Sequence, residues 1–269
     1  MVVAEDKRLN ELTGKEWLQH SFSIWRDIKK TAEEKKLKHP AMFPQQLTER
    51  IIKIFTKSNM TVLDPFMGTG STVLSATLNN RKGIGFELSE EFFTIAQSRI
   101  EELQLSIFDE GQEFIEPLLF NKDCRLLKEH IEPNTVDLVV TSPPYWDILN
   151  MKRTSDHKDI VNYSDSDVDL GNIDDYAQFL NELKAVFEQV YDVIKPGGYC
   201  VVVVMDIRKK STFYPFHSDL ATKMQELGFK FEDIVIWDRQ HEYNNMRPLG
   251  YPYKYRINKV HEYVLIFSK

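Results

Sequence analysis

"TVLDPFMGTGSTVL", residues 61–74, starts as a short apolar run that ends in an acid, passes through a loop holding two glycines and continues into a helix-forming stretch. Strand, glycine-containing loop and helix in that order make the first βα turn of a nucleotide-type α/β fold. Gly68 and Gly70 let the backbone approach a ligand closely, and Asp64 at the strand tip offers a carboxylate to a polar or cationic group. The run is not a full G-x-G-x-x-G, because Val73 stands where the third glycine would be. That weakens a pyrophosphate reading.

On the downstream side, strand and helix patterns alternate. "KGIGFE" (82–87), "PLLFNKD" (117–123), "VDLVVT" (136–141), "YCVVVVMD" (199–206), "FKFEDIVIW" (229–237) and "HEYVLIF" (261–267) are expected strands. Between them, "SEEFFTIAQSRIEELQL" (89–105) is an expected helix capped by Ser89. "IDDYAQFLNELKAVFEQVYDVI" (173–194) and "SDLATKMQELG" (218–228) are two more. The last two strands are joined by a loop without helical periodicity, so that pair is drawn antiparallel. The prediction is a doubly wound α/β fold: a mostly parallel seven-stranded sheet with its last strand antiparallel. Upstream, Leu12, Trp17, Leu18, Phe22, Trp25 and Ile28 predict a helical N-terminal extension within residues 1–38, and "QQLTERIIKIFT" (45–56) predicts a helix at the start of a catalytic domain spanning 39–269.

The totals exclude several classes. The 269 residues hold two cysteines, which suggests neither a disulfide framework nor a zinc site, and no metal is expected. No apolar stretch approaches the roughly 20 residues that span a bilayer, and the first residues lack a secretory pattern, so a cytoplasmic protein is expected. A net charge of −7 speaks mildly against nucleic acid as a partner, although a local basic face can still bind phosphates.

Glu87 ends the second expected strand 23 positions after Asp64, a spacing at which an acid accepts hydrogen bonds from a ribose diol. Asp123 ends the third, where a carboxylate meets an adenine amino group. Three acids at successive strand tips describe an adenosine-containing ligand without phosphates, and S-adenosylmethionine fits that description. Each acid taken alone has a plainer reading: a turn or cap for Asp64, solvation for Glu87, a helix cap for Asp123.

"TSPPYW" (141–146) follows the fourth strand, where two prolines end the ladder and form a rigid turn at the ligand-holding edge. "SPPY" after an apolar strand, "LDPFMGTGS" (63–71), "HPAMFP" (39–44), "VIKPGG" (193–198) and "HEYVLIFSK" (261–269) together resemble the DNA amino-methyltransferases, which act on the N4 amine of cytosine or the N6 amine of adenine. The resemblance covers most of residues 39–269. It implies a class I, Rossmann-like methyltransferase fold and S-adenosylmethionine as cofactor. It places the cofactor against Phe43, Pro44, Asp64, Pro65, Phe66, Gly68, Gly70, Ser71, Glu87, Leu88, Asp123 and Cys124, and catalysis at Ser142, Pro143, Pro144 and Tyr145. In this family the first residue of the catalytic motif is often Ser in cytosine-N4 enzymes and Asp or Asn in adenine-N6 enzymes, so Ser142 leans toward cytosine, with adenine-N6 methylation the alternative. Many members with this style of "HP…P" segment place the catalytic motif first, so this order resembles a circular permutation.

The chemistry of the residues agrees. An exocyclic base amine is a poor nucleophile, because its lone pair is delocalised into the ring. Acceptors aimed at its N–H bonds make the nitrogen more pyramidal, and the Ser142 hydroxyl and the Pro143 carbonyl are candidates, preset by the prolines. Tyr145 offers a face for an extruded base. Trp146, Phe43 and Pro44 each have core packing as a rival role. Neither cysteine sits where attack on a pyrimidine ring would need it. More remote readings are an NAD-dependent dehydrogenase and a catalytically silent DNA-binding subunit.

Double-stranded DNA is the implied partner, with a cognate restriction endonuclease as a further one. Candidate recognition loops are 147–173, with Lys152 and Arg153, and 238–258, with Arg239, Arg247, Lys254 and Arg256; "DIRKK" (206–210) adds Arg208 and Lys209. From Trp237 to Lys269 there are six Lys or Arg against three Asp or Glu, interleaved with tyrosines, a composition suited to phosphate contact and base stacking. "DSDVDLGNIDD" (165–175) is acidic and is expected to point away from phosphates.

Overall fold

The computed structural model describes residues 7–32, 34–36, 43–109, 114–146, 169–243, 246 and 248–269. Its main elements in chain order are α1 (Gly14–His20), β1 (Ile24–Trp25), α2 (Gln45–Phe55), β2 (Thr61–Asp64), α3 (Ser71–Leu78), β3 (Lys82–Phe86), α4 (Glu90–Asp109), β4 (Leu118–Phe120) and β5 (Val136–Thr141). They continue with α5 (Tyr176–Val193), β6 (Ile194–Val204), β7 (Ile207–Lys209), β8 (Thr212–Tyr214), α6 (Phe216–Glu226), β9 (Lys230–Asp238) and β10 (His261–Ser268).

Eight strands form one sheet in the order β1-β9-β10-β6-β5-β2-β3-β4. All the expected strands are in it. β10 lies between β6 and β9 and runs antiparallel to both, while the β2, β3, β4, β5 and β6 pairings are parallel. The central strands read as unbroken apolar runs because both faces are covered. In β6, Val201 and Val203 face the cluster around α2, whereas Cys200, Val202 and Val204 face the one around α5 and α6. Leu47, Ile51 and Ile52 close the first side, and Phe179, Leu183, Phe187, Phe216, Leu220 and Met224 close the second.

The helical reading of residues 11–38 is corrected. Thr13 opens α1 with a reciprocal capping box, but the helix stops at His20, and Ile24–Trp25 pairs in parallel with Ile236–Trp237 as the eighth strand. The apolar spacing misleads because Trp17, Leu18 and Phe22 are exposed while Trp25 and Ile28 bury themselves against the sheet from an extended segment. Tertiary pairing overrides local periodicity here. The hairpin β7–β8 is also absent from the sequence reading. Its turn puts Lys210 at φ +55, a conformation for which Gly, Asn or Asp is the usual signal.

The parallel strands all point their carboxyl ends to one edge, as does the antiparallel β10 its amino end. That edge gathers Asp64, Phe86, Phe120, Thr141 and Val204 with His261.

Candidate active site

A cleft opens at this edge. Its walls include Phe43, Asp64, Pro65, Phe66, Gly68, Ser71, Glu87, Leu88, Asp123 and Cys124, together with Ser142, Pro143, Pro144 and Tyr145. The structure thus brings ten of the twelve expected cofactor residues and all four expected catalytic residues to one cavity. Pro44 and Gly70 are the two that do not line it. Pro44 is buried at the start of α2. Gly70 is a packing residue: at φ +82 it caps α3, and a Cβ there would stand 3.0 Å from the Cβ of Ala96.

Gly68, at φ +53, turns its N–H to the Glu87 carboxylate at 2.9 Å. The other oxygen of Glu87 accepts from the Ser89 N–H at 2.8 Å, and Ser89 also accepts, through its carbonyl, the Phe93 N–H of the first turn of α4. Burial outweighs these two bonds and raises the Glu87 pKa from 4.5 to about 7. Asp64 is more enclosed, at 2% exposure. It accepts from Thr141 Oγ1 (2.6 Å), Thr72 Oγ1 (2.7 Å) and the Phe66 N–H (3.0 Å), and burial raises its pKa from 3.8 to about 6. Its carboxylate therefore ties the tips of β2 and β5 to the start of α3, and little of it is left for a ligand. Asp123 caps the short turn Cys124–Glu129 and pairs with Arg125, and it also lines the cleft. The Ser71 hydroxyl holds the Phe43 carbonyl at 3.1 Å, which fixes Phe43 at the mouth. His39 and the rest of "HPAM" lie outside the described residues.

At the Ser-Pro-Pro-Tyr turn, Ser142 Oγ donates to the Tyr145 hydroxyl (3.3 Å), and that hydroxyl donates to Glu262 Oε2 (2.8 Å). Burial and the Glu262 charge keep the Tyr145 phenol protonated well above its usual range. Trp146 is a packing residue. It is 4% exposed, sits at φ +53, donates to the Ile173 carbonyl at 2.7 Å and lies under the Lys209 ammonium at 4.0 Å. Cys124 and Cys200 are both buried, and burial pushes both thiols up, which leaves them poor nucleophiles.

Two acids at the site were not singled out from sequence. Asp169 belongs to the run expected to point away from phosphates; it lines the cleft at 8% exposure, accepting the Gly171 N–H at 2.8 Å. Buried Leu170 beside it draws it in, and the Asp-Leu-Gly turn was the available signal. Glu262 is 4% exposed and pairs with Arg239. Nothing in "KVHEYV" marks it, because its partners come from other strands.

The basic candidates separate. Arg239 is corrected from a DNA contact to an internal ion pair: it is held by Glu262 and Glu242 and stacks over Trp237 at 4.7 Å. Arg208 lies over Phe213 at 5.5 Å, Lys209 over Trp146, and Arg256 donates to the Lys210 carbonyl at 3.1 Å. Lys210 and Lys254 are exposed beside Tyr251, Tyr253 and Tyr255. Lys152, Arg153 and Arg247, with all of 147–168, lie outside the described residues. No helix among the described residues is long and apolar enough to cross a membrane.

Comparison with known proteins matches residues 3–98 and 136–269 to the N6/N4 methyltransferase family model, described as DNA methylase. The orphan methyltransferase M.BamHII of Bacillus amyloliquefaciens is 43% identical over 83 residues, 29% of this chain and 31% of that protein. The Type II methyltransferase M.MjaI of Methanocaldococcus jannaschii is 35% identical over 164 residues, 55% of this chain and 54% of the relative. The chain thus spans about half or less of the curated relatives it matches. TrmN from Thermus thermophilus shares the fold, with a TM-score of 0.50 at 16% identity over 84% of this chain and 48% of that one. The glycine loop, the Ser-Pro-Pro-Tyr turn and the sheet that carries both are accounted for together by the family match: the chain belongs to the N6/N4 DNA methylase family.

Proposed function

We propose that this protein transfers a methyl group to the exocyclic N4 amine of a cytosine flipped out of a specific short site in double-stranded DNA. The observation that carries the reading is the presence of Ser142 to Tyr145 on the wall of the same cleft as Gly68 and Glu87. The family uses S-adenosylmethionine, and the cleft fits it. Phe43, Phe66 and Leu88 supply apolar walls, Glu87 and Asp123 supply acceptors at the ribose and adenine ends, and among the described residues of the lining Lys122 is the one cation, short of a basic cluster for a diphosphate. Bound there, the cofactor supplies an electrophilic methyl group on a sulfonium.

The chain's own residues do the rest. The Ser142 hydroxyl and the Pro143 carbonyl accept the two N–H bonds of the amine and drive its nitrogen toward a pyramidal, nucleophilic form. Pro143 and Pro144 fix the turn before the substrate arrives, so the alignment is not bought at the moment of reaction. With both thiols buried, a covalent attack on a ring carbon has no nucleophile among the described residues. The base enters extruded, since a stacked base does not reach a recessed turn.

A DNA surface is supported by the way the hairpin β7–β8 and the β9–β10 loop meet. Arg256 bonds to Lys210 across them, Lys259 lies over Phe213 at 4.1 Å, and Lys209 ties the hairpin to Trp146, next to Tyr145. Exposed Lys210, Lys254 and three exposed tyrosines complete a basic, aromatic face beside the cleft. DNA as substrate would put the protein inside the cell, and the Type II names of several relatives make a cognate endonuclease a partner to look for.

The test is mass spectrometry of nucleosides from genomic DNA of a methylation-deficient host expressing the protein. N4-methylcytosine is expected; N6-methyladenine would move the base choice, and the absence of both modified bases would overturn the reading. Ser142→Ala is expected to lower the rate about 100-fold, in the range of one lost oriented hydrogen-bonding group.

A further inference from the structure

A serine hydroxyl beside an amine can help or harm. If its hydrogen points at the amine, it donates into the nitrogen lone pair and consumes the electrons that must attack. If its hydrogen points away, both oxygen lone pairs are free to accept the N–H bonds. An isolated hydroxyl rotates among these states, so something has to choose.

The choice traces to a residue on another strand. Glu262, on β10 and 4% exposed, is paired with Arg239, which is itself held by Glu242. Burial works against the charge on Arg239, but the Glu262 and Glu242 carboxylates outweigh it and hold the guanidinium protonated. A carboxylate so paired only accepts. Tyr145 therefore gives its one hydrogen to Glu262, at 2.8 Å. Its oxygen is left able only to accept, and the group at 3.3 Å is Ser142 Oγ. That oxygen is thus the acceptor toward which the Ser142 hydrogen can turn.

We propose that Glu262 is a positioning residue for methyl transfer: through Tyr145 it fixes the direction of the Ser142 hydroxyl and leaves its lone pairs for the target amine. The inference rests on the amino-methylation reading above. It also gives Tyr145 a second duty besides forming the wall of the cleft, one that a Phe at the same position does not perform.

The test compares the full chain with Glu262→Gln, Tyr145→Phe and the double variant. Tritium transfer from labelled S-adenosylmethionine is followed in single turnovers on genomic DNA from a methylation-deficient host. Each single variant is expected to lose about 10- to 100-fold in the transfer rate, with KM for DNA and cofactor affinity within about twofold of wild type. The double variant is expected to be no slower than the slower single, because both act through one line of bonds. A Glu262→Gln rate within twofold of wild type overturns the proposal. So does a double-variant loss equal to the product of the single losses, which is the signature of independent structural damage. If Glu262→Gln fails to fold for want of a partner for Arg239, Tyr145→Phe decides, since it leaves that ion pair intact: an unchanged rate there overturns the proposal. A wild-type chain that methylates no DNA refutes the amino-methylation reading and this inference with it, whereas an active wild type with unaffected variants refutes this inference alone.

Discussion

The Thr141 hydroxyl donates to the Asp64 carboxylate at 2.6 Å, joining the residue just before the Ser-Pro-Pro-Tyr turn to the residue that opens the glycine loop. Thr72 completes the same clasp from α3. Thr141→Val removes one of three donors from a buried carboxyl, and a loss of about 1–3 kcal/mol in stability is expected. The loss should depend on pH. Asp64 has a pKa of about 6, so the donor matters most for the ionised form above that value. Urea unfolding at pH 8 should show a larger difference from wild type than unfolding at pH 4.5; equal differences would contradict the raised pKa.

Glu87 gives a second pH signature, with the sign opposite to that of an ion-paired acid. Its folded pKa of about 7 stands above the usual 4.5. Below 4.5 the group is protonated in both states. Between 4.5 and 7 the folded chain keeps a proton that the unfolded chain has released, so stability falls as pH rises through that window and levels off above it. The full effect is about 3 kcal/mol. Thermal unfolding of the cofactor-free protein across that window should show the fall, and Glu87→Gln should flatten it, leaving the smaller part that belongs to Asp64. The same substitution should weaken S-adenosylmethionine binding about tenfold, as measured by calorimetry, through the loss of a charged acceptor.

Gly70→Ala isolates a backbone requirement. The residue sits at φ +82 with Ala96 3.0 Å from where the new Cβ would lie. A loss of about 1–3 kcal/mol is expected from the left-handed conformation and the crowding together. Because Gly70 does not line the cleft, the enzyme that remains folded should bind cofactor normally. A variant as stable as wild type would count against the turn as described.

Exposed Lys210 and Lys254 provide a salt test of the DNA face. Replacing both by Ala should weaken DNA binding more at low salt than at high salt. The slope of log affinity against log salt should fall by about 1 for each phosphate contact removed, while the rate at saturating DNA stays put. An unchanged slope would place the phosphates elsewhere.

Much of this was legible in the amino-acid order, and for physical reasons. The inner parts of β5 and β6, Leu138–Val140 and Cys200–Val204, are buried on both faces, so they appear as apolar runs. The glycine loop and the proline turn carry local backbone constraints that only a few residue types satisfy. What stayed hidden depends on distance along the chain. Glu262 meets Tyr145 across 117 positions, and no local pattern marks either as the other's partner. Arg239 looked like a surface cation because its buried partner Glu262 comes beside it only when β9 and β10 are side by side; its second partner, Glu242, is three positions along the chain. The β7–β8 hairpin lacks a glycine or asparagine at its turn, and the acidic run around Asp169 was read only for its charge against phosphates, while buried Leu170 carries Asp169 into the cleft wall.

The pairing of Ile24–Trp25 with Ile236–Trp237 has a kinetic meaning. The Arg26–Asp238 ion pair at the same junction closes a loop of 212 positions. During synthesis the segment around residue 24 is made well before β9 and waits for its strand partner until β9 exists to receive it. Loop closure of that length is slow relative to local helix formation. A nascent chain halted before residue 230 should therefore present its early apolar residues to chaperones, and release of the β9 segment should be the event that withdraws them.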